Sequence, residues 1–284
     1  MMRSFDKNSY DVAEIVHELL HGAGAVVFPK LFPDEVIDAA RQEILDRSNA
    51  DPPRVTHFQG KAEEEKRLDR QRRVWNLLSK GKVFTTIAEN PVLTDVMRHF
   101  LGSEFIMGSI AANRILPGGP GQEPHIDYPY WDFYKPASFP IGLNASFPMN
   151  AQATIILDPF TAESGATAYV PGSQREIRYP REEDRFYERC ERMLGDPGDT
   201  VVFFGAAWHC AMPNKSENDR SAILIEYLPK FVKPVEDMLT TIDEDFKRQM
   251  SPLMRQLLGF DYPYPQLFDK SEAKNAEGRI KKAS

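Results

Sequence analysis

Near residue 105 the chain changes from apolar residues in helical spacing to apolar residues in short runs. Each run is bounded by Gly, Pro, Asn or Asp, which is typical of β-strands separated by turns. The runs are Phe105–Leu116, Ala153–Leu157, Thr167–Val170, Thr200–Phe204 and Ala222–Tyr227. This pattern predicts an antiparallel sandwich or jelly roll that occupies the middle of the chain.

The chain before residue 105 is predicted to be mostly helical. Apolar residues there recur at intervals of three and four, and Gly or Pro residues mark the ends of the segments. The predicted elements are a helix over residues 12–20, a strand at Ala25–Phe28, a helix that begins at Pro33, and a helix over Pro91–Leu101. After Pro234 the chain is again polar and helical in pattern.

The length and composition are those of one globular domain. Of the 284 residues, 42% are hydrophobic and 27% are charged, and β-sandwiches and barrels of more than about 200 residues often form a single domain. We predict one domain over residues 1–284. It would consist of N-terminal helical support (1–104), a β core (105–230) and a C-terminal helical extension (231–284).

Several classes of partner are disfavoured by the charge and hydropathy of the chain. The net charge of −7 gives no basic footprint for nucleic acid, and the interrupted basic run Lys66–Arg73 is interpreted as a solvated helix face. No segment approaches the roughly 20 apolar residues that cross a bilayer. Two cysteines, Cys190 and Cys210, form no disulfide framework, so the cytoplasm is expected. A monomer and a homodimer both remain open.

A His-x-Asp triplet is the first candidate for chemistry. In a β-strand, residues i and i+2 point to the same face, so His125 and Asp127 can converge on one metal ion. A third ligand, His209, would complete a two-histidine, one-carboxylate triad of the kind that holds non-haem Fe(II). Such a triad leaves coordination positions open, which a cosubstrate and O2 require.

An arginine beyond His209 strengthens this hypothesis. The polar segment Pro213–Asp219 predicts a hairpin that would place His209 and Arg220 on adjoining strand ends. A guanidinium near the metal can bind the far carboxylate of a dicarboxylate chelator through paired, charged hydrogen bonds.

The order of these motifs resembles the phytanoyl-CoA dioxygenase family of 2-oxoglutarate-dependent oxygenases. Besides the histidines, Asp127 and Arg220, the resemblance rests on Gly24-Ala25-Val26-Val27, Glu163-Ser164-Gly165-Ala166-Thr167, Val170-Pro171-Gly172-Ser173 and Pro197-Gly198-Asp199. It implies a mainly β fold with flanking helices, namely a double-stranded β-helix (a cupin-like jelly roll) with the metal at the mouth of the barrel.

The resemblance also implies roles for individual residues. It makes His125, Asp127 and His209 the Fe(II) ligands and Arg220 the residue that binds 2-oxoglutarate. Asn113 and Gln152 fall where family members place further cosubstrate contacts. Ala211 occupies a position where the family often has a serine that helps to hold 2-oxoglutarate.

The implied activity is that of an oxidoreductase, which would oxidise a substrate C–H bond while 2-oxoglutarate becomes succinate and CO2. Hydroxylation is the expected outcome, and desaturation, cyclisation or endoperoxide formation stay open. An aromatic segment follows the metal-binding triplet and suggests a small, apolar substrate, as in natural-product biosynthesis. Its candidate substrate contacts are Tyr128, Tyr130, Trp131 and Phe133. An acyl-CoA substrate is the alternative, although its phosphates favour basic residues.

Two hypotheses of other classes are weighed against this one. His17-Glu18-Leu19-Leu20-His21 matches the zinc-protease motif H-E-x-x-H. Val27 occupies the position where the longer form of that motif has its third histidine, and the apolar stripe lies opposite His17 and His21, so both should face solvent. The other hypothesis is a barrel of the same type that binds without catalysis. The complete ligand set argues against it.

Overall fold

The computed structural model describes residues 2–50, 70–133 and 147–260. In these residues the helices are Val12–Leu20 (α1), Asp34–Ala50 (α2), Lys82–Ala88 (α3), Pro91–Leu101 (α4), Tyr130–Phe133 (α5), Phe186–Arg189 (α6), Glu244–Gln249 (α7) and Pro252–Leu257 (α8). None of these described helices combines the length and the hydropathy that a membrane span needs.

The strands are Arg3–Ser4 (β1), Ala25–Phe28 (β2), Gln71–Val74 (β3), Ile106–Ile115 (β4), Ala151–Ile156 (β5), Ala168–Tyr169 (β6), Glu191–Arg192 (β7), Thr200–Phe203 (β8), His209–Cys210 (β9) and Arg220–Leu228 (β10). Seven of them form one sheet in the order β1-β2-β8-β5-β10-β4-β3, and three form a second sheet in the order β7-β6-β9. Only β1 and β2 pair in parallel among these strands. The expected mainly β fold with flanking helices is confirmed.

Strand β10 has one face in the hydrophobic core and the other in the space between the two sheets. Side chains of a strand alternate between its faces, and Ile223, Ile225 and Tyr227 belong to the core cluster that includes residues of the helices. Ala222, Leu224 and Glu226 instead line a pocket to which the second sheet also contributes. The same strand therefore supports the fold on one face and forms a pocket wall on the other.

Polar side chains form hydrogen bonds at both ends of helix α1. The Asp11 carboxylate accepts a hydrogen bond from the Ala13 amide at 2.8 Å. The fully buried amide of Gln174 donates to the carbonyl oxygens of Leu19 at 3.3 Å and of Gly22 at 3.1 Å. Gln174 thus satisfies carbonyls that a helix end leaves without partners.

Two sequence-based predictions about local structure are wrong. β9 pairs with β6, and β10 pairs with β4 and β5, so the segment 213–219 crosses between two sheets and forms no hairpin. The end of the basic run lies in strand β3, where Gln71 is buried and Arg73 is half-buried. A helix face in solvent is therefore excluded for residues 71–73. Arg70, just before the strand, is exposed, and the remainder of the run, 66–69, lies outside the described residues. Helix α3 is an element that the sequence pattern did not indicate.

The core face of β10 gives a stability prediction. Ile223 has no exposed surface, so Ile223→Ala should leave a cavity and lower the free energy of unfolding by roughly 2 to 5 kcal/mol. Urea unfolding followed by circular dichroism would measure the change. The control is Leu194→Ala, because Leu194 is 52% exposed and its truncation should change stability by no more than about 0.5 kcal/mol. Equal effects of the two substitutions would contradict this packing.

Candidate metal centre

Backbone pairing brings His125 and His209 together although they are distant in the sequence. Each residue donates its amide to the carbonyl of the other, at 2.9 Å from His125 and 3.0 Å from His209. The Asp127 amide donates to the Gly205 carbonyl at 2.8 Å. Residues 125–127 therefore lie in extended backbone beside β9, and only His125 makes a bridge within this short segment.

The three side chains converge on one point. One potential ligand atom from each of His125, Asp127 and His209 lies within 4.8 Å of the others. His125 Nε2 lies 3.7 Å from Asp127 Oδ1, and His209 Nε2 lies 3.3 Å from Asp127 Oδ2. All three residues are buried, with at most 9% of their surface exposed. Two imidazole nitrogens and a carboxylate in this arrangement can hold a divalent metal ion.

Hydrogen bonds at the other ring nitrogens orient both imidazoles. His125 Nδ1 lies 2.7 Å from the Glu123 carbonyl, and His209 Nδ1 lies 2.9 Å from the Ala207 carbonyl. A carbonyl oxygen can only accept, so each Nδ1 carries the proton and each Nε2 keeps its lone pair for a metal. The Phe203 ring packs edge-on against His209 at a centroid distance of 4.9 Å, which further fixes that ring.

The electrostatics of the triad favour the protonation states that bind a metal at two of its residues, namely a neutral imidazole at His125 and a carboxylate at Asp127. Burial, and next the charge of His209, lower the pKa of His125 to about 4, so its ring is neutral at physiological pH. Burial opposes ionisation of Asp127, but the two histidines and Arg73 outweigh it and lower the pKa of this carboxyl. Burial is the largest single effect on His209 and disfavours its protonated form, but the Asp127 carboxylate and the Ala207 carbonyl together outweigh burial and raise the pKa of His209.

The triad opens into a pocket of about 120 Å³ between the two sheets. Its lining includes polar groups from β4, β5 and β10 and rings from the segments beside them. Besides the triad, the residues that line the pocket include Arg73, Trp75, Ser109, Asn113, Gln122, Tyr128, Trp131, Gln152, Phe160, Thr167, Ala211, Arg220, Leu224, Glu226 and Val235.

Arg220 is a buried cation in this pocket. It is 4% exposed, and one of its terminal nitrogens donates to the Gly165 carbonyl at 2.8 Å. Its Nε has no hydrogen-bond partner among the described residues. The guanidinium also lies over the Phe160 ring, 4.9 Å from the centroid. Burial, and next the charge of Arg192, lower the pKa of Arg220 to about 10, so it stays charged at neutral pH.

Gly165 permits this position of Arg220. Its φ of +82° belongs to the left-handed region, and a Cβ there would lie only 2.3 Å from the Met212 carbonyl oxygen. A glycine therefore lets the chain approach residue 212 and present its carbonyl to the guanidinium.

Asn113 and Gln152 line the pocket from β4 and β5, and Asn113 accepts a hydrogen bond from the Gln71 amide at 3.2 Å. Among the polar lining residues that sequence reasoning missed are Arg73, Gln122, Thr167 and Glu226. Gln122 accepts a hydrogen bond from the Ala211 amide at 3.0 Å. Its position three residues before His125 was the available signal. For Arg73, the basic run concealed a strand of only four residues.

The aromatic segment divides into pocket and core residues. Tyr128 and Trp131 line the pocket, with ring centroids 5.6 Å apart. Tyr130 is fully buried in the core, where its hydroxyl oxygen accepts from the Met149 amide at 2.6 Å, so its assignment as a substrate contact is corrected. The side chain of Phe133 lies outside the described residues.

The histidines of the protease-like motif lie on the outer face of α1. His17 and His21 are both exposed, with ring centroids 5.4 Å apart. Within the described residues, the triad of His125, Asp127 and His209 is the cluster whose atoms are arranged to hold a metal. The expectation that His17 and His21 face solvent is confirmed.

Comparison with known proteins adds a family to this geometry. The profile of the phytanoyl-CoA dioxygenase (PhyH) family matches residues 20–222. Dioxygenase af480 of Aspergillus fumigatus is 25% identical over 177 residues, which are 61% of this chain and 53% of that protein. The chain therefore spans about half the length of this relative.

Two further proteins cover more of the chain. The iron/alpha-ketoglutarate-dependent dioxygenase penM of Penicillium thymicola is 24% identical over 248 residues, or 84% of this chain and 74% of its own. The crystal structure of SnoN, a non-heme alpha-ketoglutarate-dependent epimerase from nogalamycin biosynthesis, superposes with a TM-score of 0.57. It is 14% identical and covers 77% of this chain and 83% of its own, so it shows a shared fold.

Fe(II) and 2-oxoglutarate, the expected metal and cosubstrate, are those that the matching family uses, and the relative penM is named for both. The convergent triad lies at residues 125, 127 and 209, all inside the matched span of 20–222. The chain belongs to the phytanoyl-CoA dioxygenase family of 2-oxoglutarate-dependent oxygenases.

Proposed function

We propose that this protein is an Fe(II)- and 2-oxoglutarate-dependent dioxygenase that hydroxylates a C–H bond of a small, largely apolar metabolite. One observation carries the proposal: three metal-ligand side chains converge within 4.8 Å in a pocket that also holds the buried cation Arg220. A buried guanidinium with a free Nε is costly unless an anion binds it. A dicarboxylate cosubstrate is such an anion.

The donor set fits ferrous iron. His125 and His209 each present Nε2 to the site, because the other ring nitrogen lies beside a backbone carbonyl, and Asp127 offers a carboxylate oxygen; this is the facial triad of non-haem Fe(II) oxygenases. When bound, Fe(II) with 2-oxoglutarate supplies the activation of O2, and 2-oxoglutarate leaves as succinate and CO2. The chain itself holds both groups, excludes bulk water and orients the substrate.

The pocket also fits 2-oxoglutarate. Arg220 would bind the far carboxylate, and the Phe160 ring beside it keeps water away, which strengthens the ion pair. Asn113 and Gln152 line the same pocket and are proposed as further cosubstrate contacts. Ala211, which replaces a frequent serine of the family, offers no hydroxyl here, so binding depends the more on Arg220.

The substrate class is inferred from the remaining lining. Trp75, Trp131, Leu224 and Val235 supply apolar surface, which suits a largely apolar molecule. Tyr128 is proposed as a further substrate contact, while desaturation, cyclisation or endoperoxide formation at the same site stay open. A role in secondary metabolism follows from this substrate class and is part of the proposal. Acyl-CoA is the second candidate substrate of the same family.

The remaining parts of the proposal concern the whole chain. We propose that residues 1–284 form a single domain around a double-stranded β-helix, and that the protein acts in the cytoplasm as a monomer or homodimer. The pairing of the seven-stranded and three-stranded sheets around one pocket supports the β-helix.

The ligand assignment predicts the effect of two substitutions. His125→Ala or Asp127→Ala should abolish succinate formation, because each removes one of three protein ligands from the metal. Succinate would be measured after incubation with Fe(II), ascorbate, O2 and 2-oxoglutarate. His17→Ala is the control and should keep wild-type turnover, since His17 is exposed on α1. Equal loss in the His17 and His125 variants would place the metal elsewhere.

The role of Arg220 predicts a specific kinetic change. Arg220→Lys keeps the charge but loses the paired donors, so it should raise the KM for 2-oxoglutarate roughly 10- to 100-fold, the range expected when a charged hydrogen bond is lost. The matched control is Arg181→Lys, because the side chain of Arg181 is 58% exposed. An unchanged KM in the Arg220 variant would show that another residue binds the cosubstrate.

A further inference from the structure

The pocket contains a buried carboxyl group that has no role in the proposed binding of iron and 2-oxoglutarate. Glu226 lies on β10, is 3% exposed, and lines the pocket. Its Oε2 has no hydrogen-bond partner among the described residues. A buried carboxyl oxygen without a partner destabilises a protein, so its presence in a pocket points to a bound ligand as the partner.

Glu226 lies far from the proposed cosubstrate end. Arg220 and Glu226 are on the same strand face but six residues apart, which is about 20 Å at the rise of a β-strand. In register, Glu226 is opposite Ser109 on β4 and Gln152 on β5, and both of these also line the pocket. We call Glu226 and Ser109 the distal polar cluster.

The backbone leaves room for this carboxyl group. A Cβ at Gly108 would lie 2.5 Å from Glu226 Oε2, so any larger residue there would displace the carboxyl. The side-chain amide of Asn150 donates to the Tyr128 carbonyl and also hydrogen-bonds the Glu226 carboxyl group, while Asn150 Oδ1 has no partner among the described residues. Gly108 therefore leaves space for the Glu226 carboxyl group, and Asn150 beside it has a fixed orientation.

The charges of the pocket limit what the cluster can bind. The cation Arg73 lines the same pocket and is not neutralised by the proposed cosubstrate, so a cationic ligand would be repelled. An anionic ligand is disfavoured beside a carboxyl group. A neutral hydroxyl can donate to Oε2, and a neutral hydroxyl or carbonyl oxygen can accept from the carboxyl group when that group is protonated, in each case without adding charge. Burial, and next the charge of Asp127, raise the pKa of Glu226 well above its ordinary value, which agrees with a neutral acid that donates to such an oxygen.

We propose that the distal polar cluster, through Glu226, is a substrate-recognition site that selects apolar molecules carrying a neutral hydroxyl or carbonyl oxygen. This inference rests on the proposed oxygenase function. The hydrogen bond would orient the substrate, and the apolar lining between Glu226 and the metal would hold its carbon skeleton.

The test uses matched probes. The hydrocarbon, ketone, alcohol and primary amine of each of the p-menthane, decalin and androstane skeletons are compared by their stimulation of 2-oxoglutarate consumption. For wild type, a ketone or alcohol should exceed both the hydrocarbon and the amine of its skeleton. An amine preferred over both oxygenated members would overturn the proposal, because Glu226 would then bind a cation.

Variants assign the preference to Glu226. Glu226→Leu should reduce the ratio of kcat/KM for oxygenated probe over hydrocarbon by about tenfold, the factor that corresponds to about 1.4 kcal/mol. Glu226→Gln keeps a donor and an acceptor and should retain most of the ratio. Glu183→Gln is the control, since its side chain is 70% exposed. An unchanged ratio in Glu226→Leu contradicts the proposal.

If no probe stimulates turnover, a measurement without substrate tests the role of Glu226. A carboxyl group kept for recognition costs stability, so Glu226→Leu should raise the Tm in calorimetry, whereas a lowered Tm would show a structural carboxyl and overturn the proposal. Wild-type protein that fails to bind Fe(II) and 2-oxoglutarate would instead refute the proposed oxygenase function. Binding of both, with a lowered Tm, would refute the recognition role alone.

Discussion

Two backbone hydrogen bonds between residues 125 and 209 are the contact on which the site depends. They join a segment of extended chain to β9, and in doing so they place two imidazoles with ring centroids 4.5 Å apart. The adjacent bond from the Asp127 amide to the Gly205 carbonyl adds the carboxylate. Because the carbonyls of Glu123 and Ala207 then fix both Nδ1 atoms, the metal-binding nitrogens point to the same place.

Strand β10 extends this local geometry into a pocket with two chemically different ends. Its core face, with Ile223 and Ile225, packs within the core cluster, so the strand is held rigidly. Its inner face presents the cation Arg220 at one end and the carboxyl group of Glu226 at the other. A rigid strand can keep both groups buried while Arg220 Nε and Glu226 Oε2 have no hydrogen-bond partner among the described residues, and we propose that each of these atoms binds a ligand of its own.

Much of the fold could be predicted from the sequence because its elements have strong local signals. The helix Pro91–Leu101 has an N-cap asparagine and a terminal glycine, and its predicted bounds agree with the structure. Pairing partners could not be predicted in the same way. The turn formers at 213–219 are compatible with a hairpin or with a crossing between sheets, and only the tertiary arrangement decides. Arg73 was missed for a related reason, since polar residues inside a pocket break the alternation that identifies strands.

The central claim is that the triad and Arg220 together bind Fe(II) and 2-oxoglutarate. Anaerobic titration of the purified wild-type protein with Fe(II), in the presence of saturating 2-oxoglutarate, tests it directly by visible absorption. The account predicts a weak charge-transfer band that needs both the metal and the cosubstrate and saturates at one iron per chain. A spectrum that stays featureless at saturating metal and 2-oxoglutarate would contradict it.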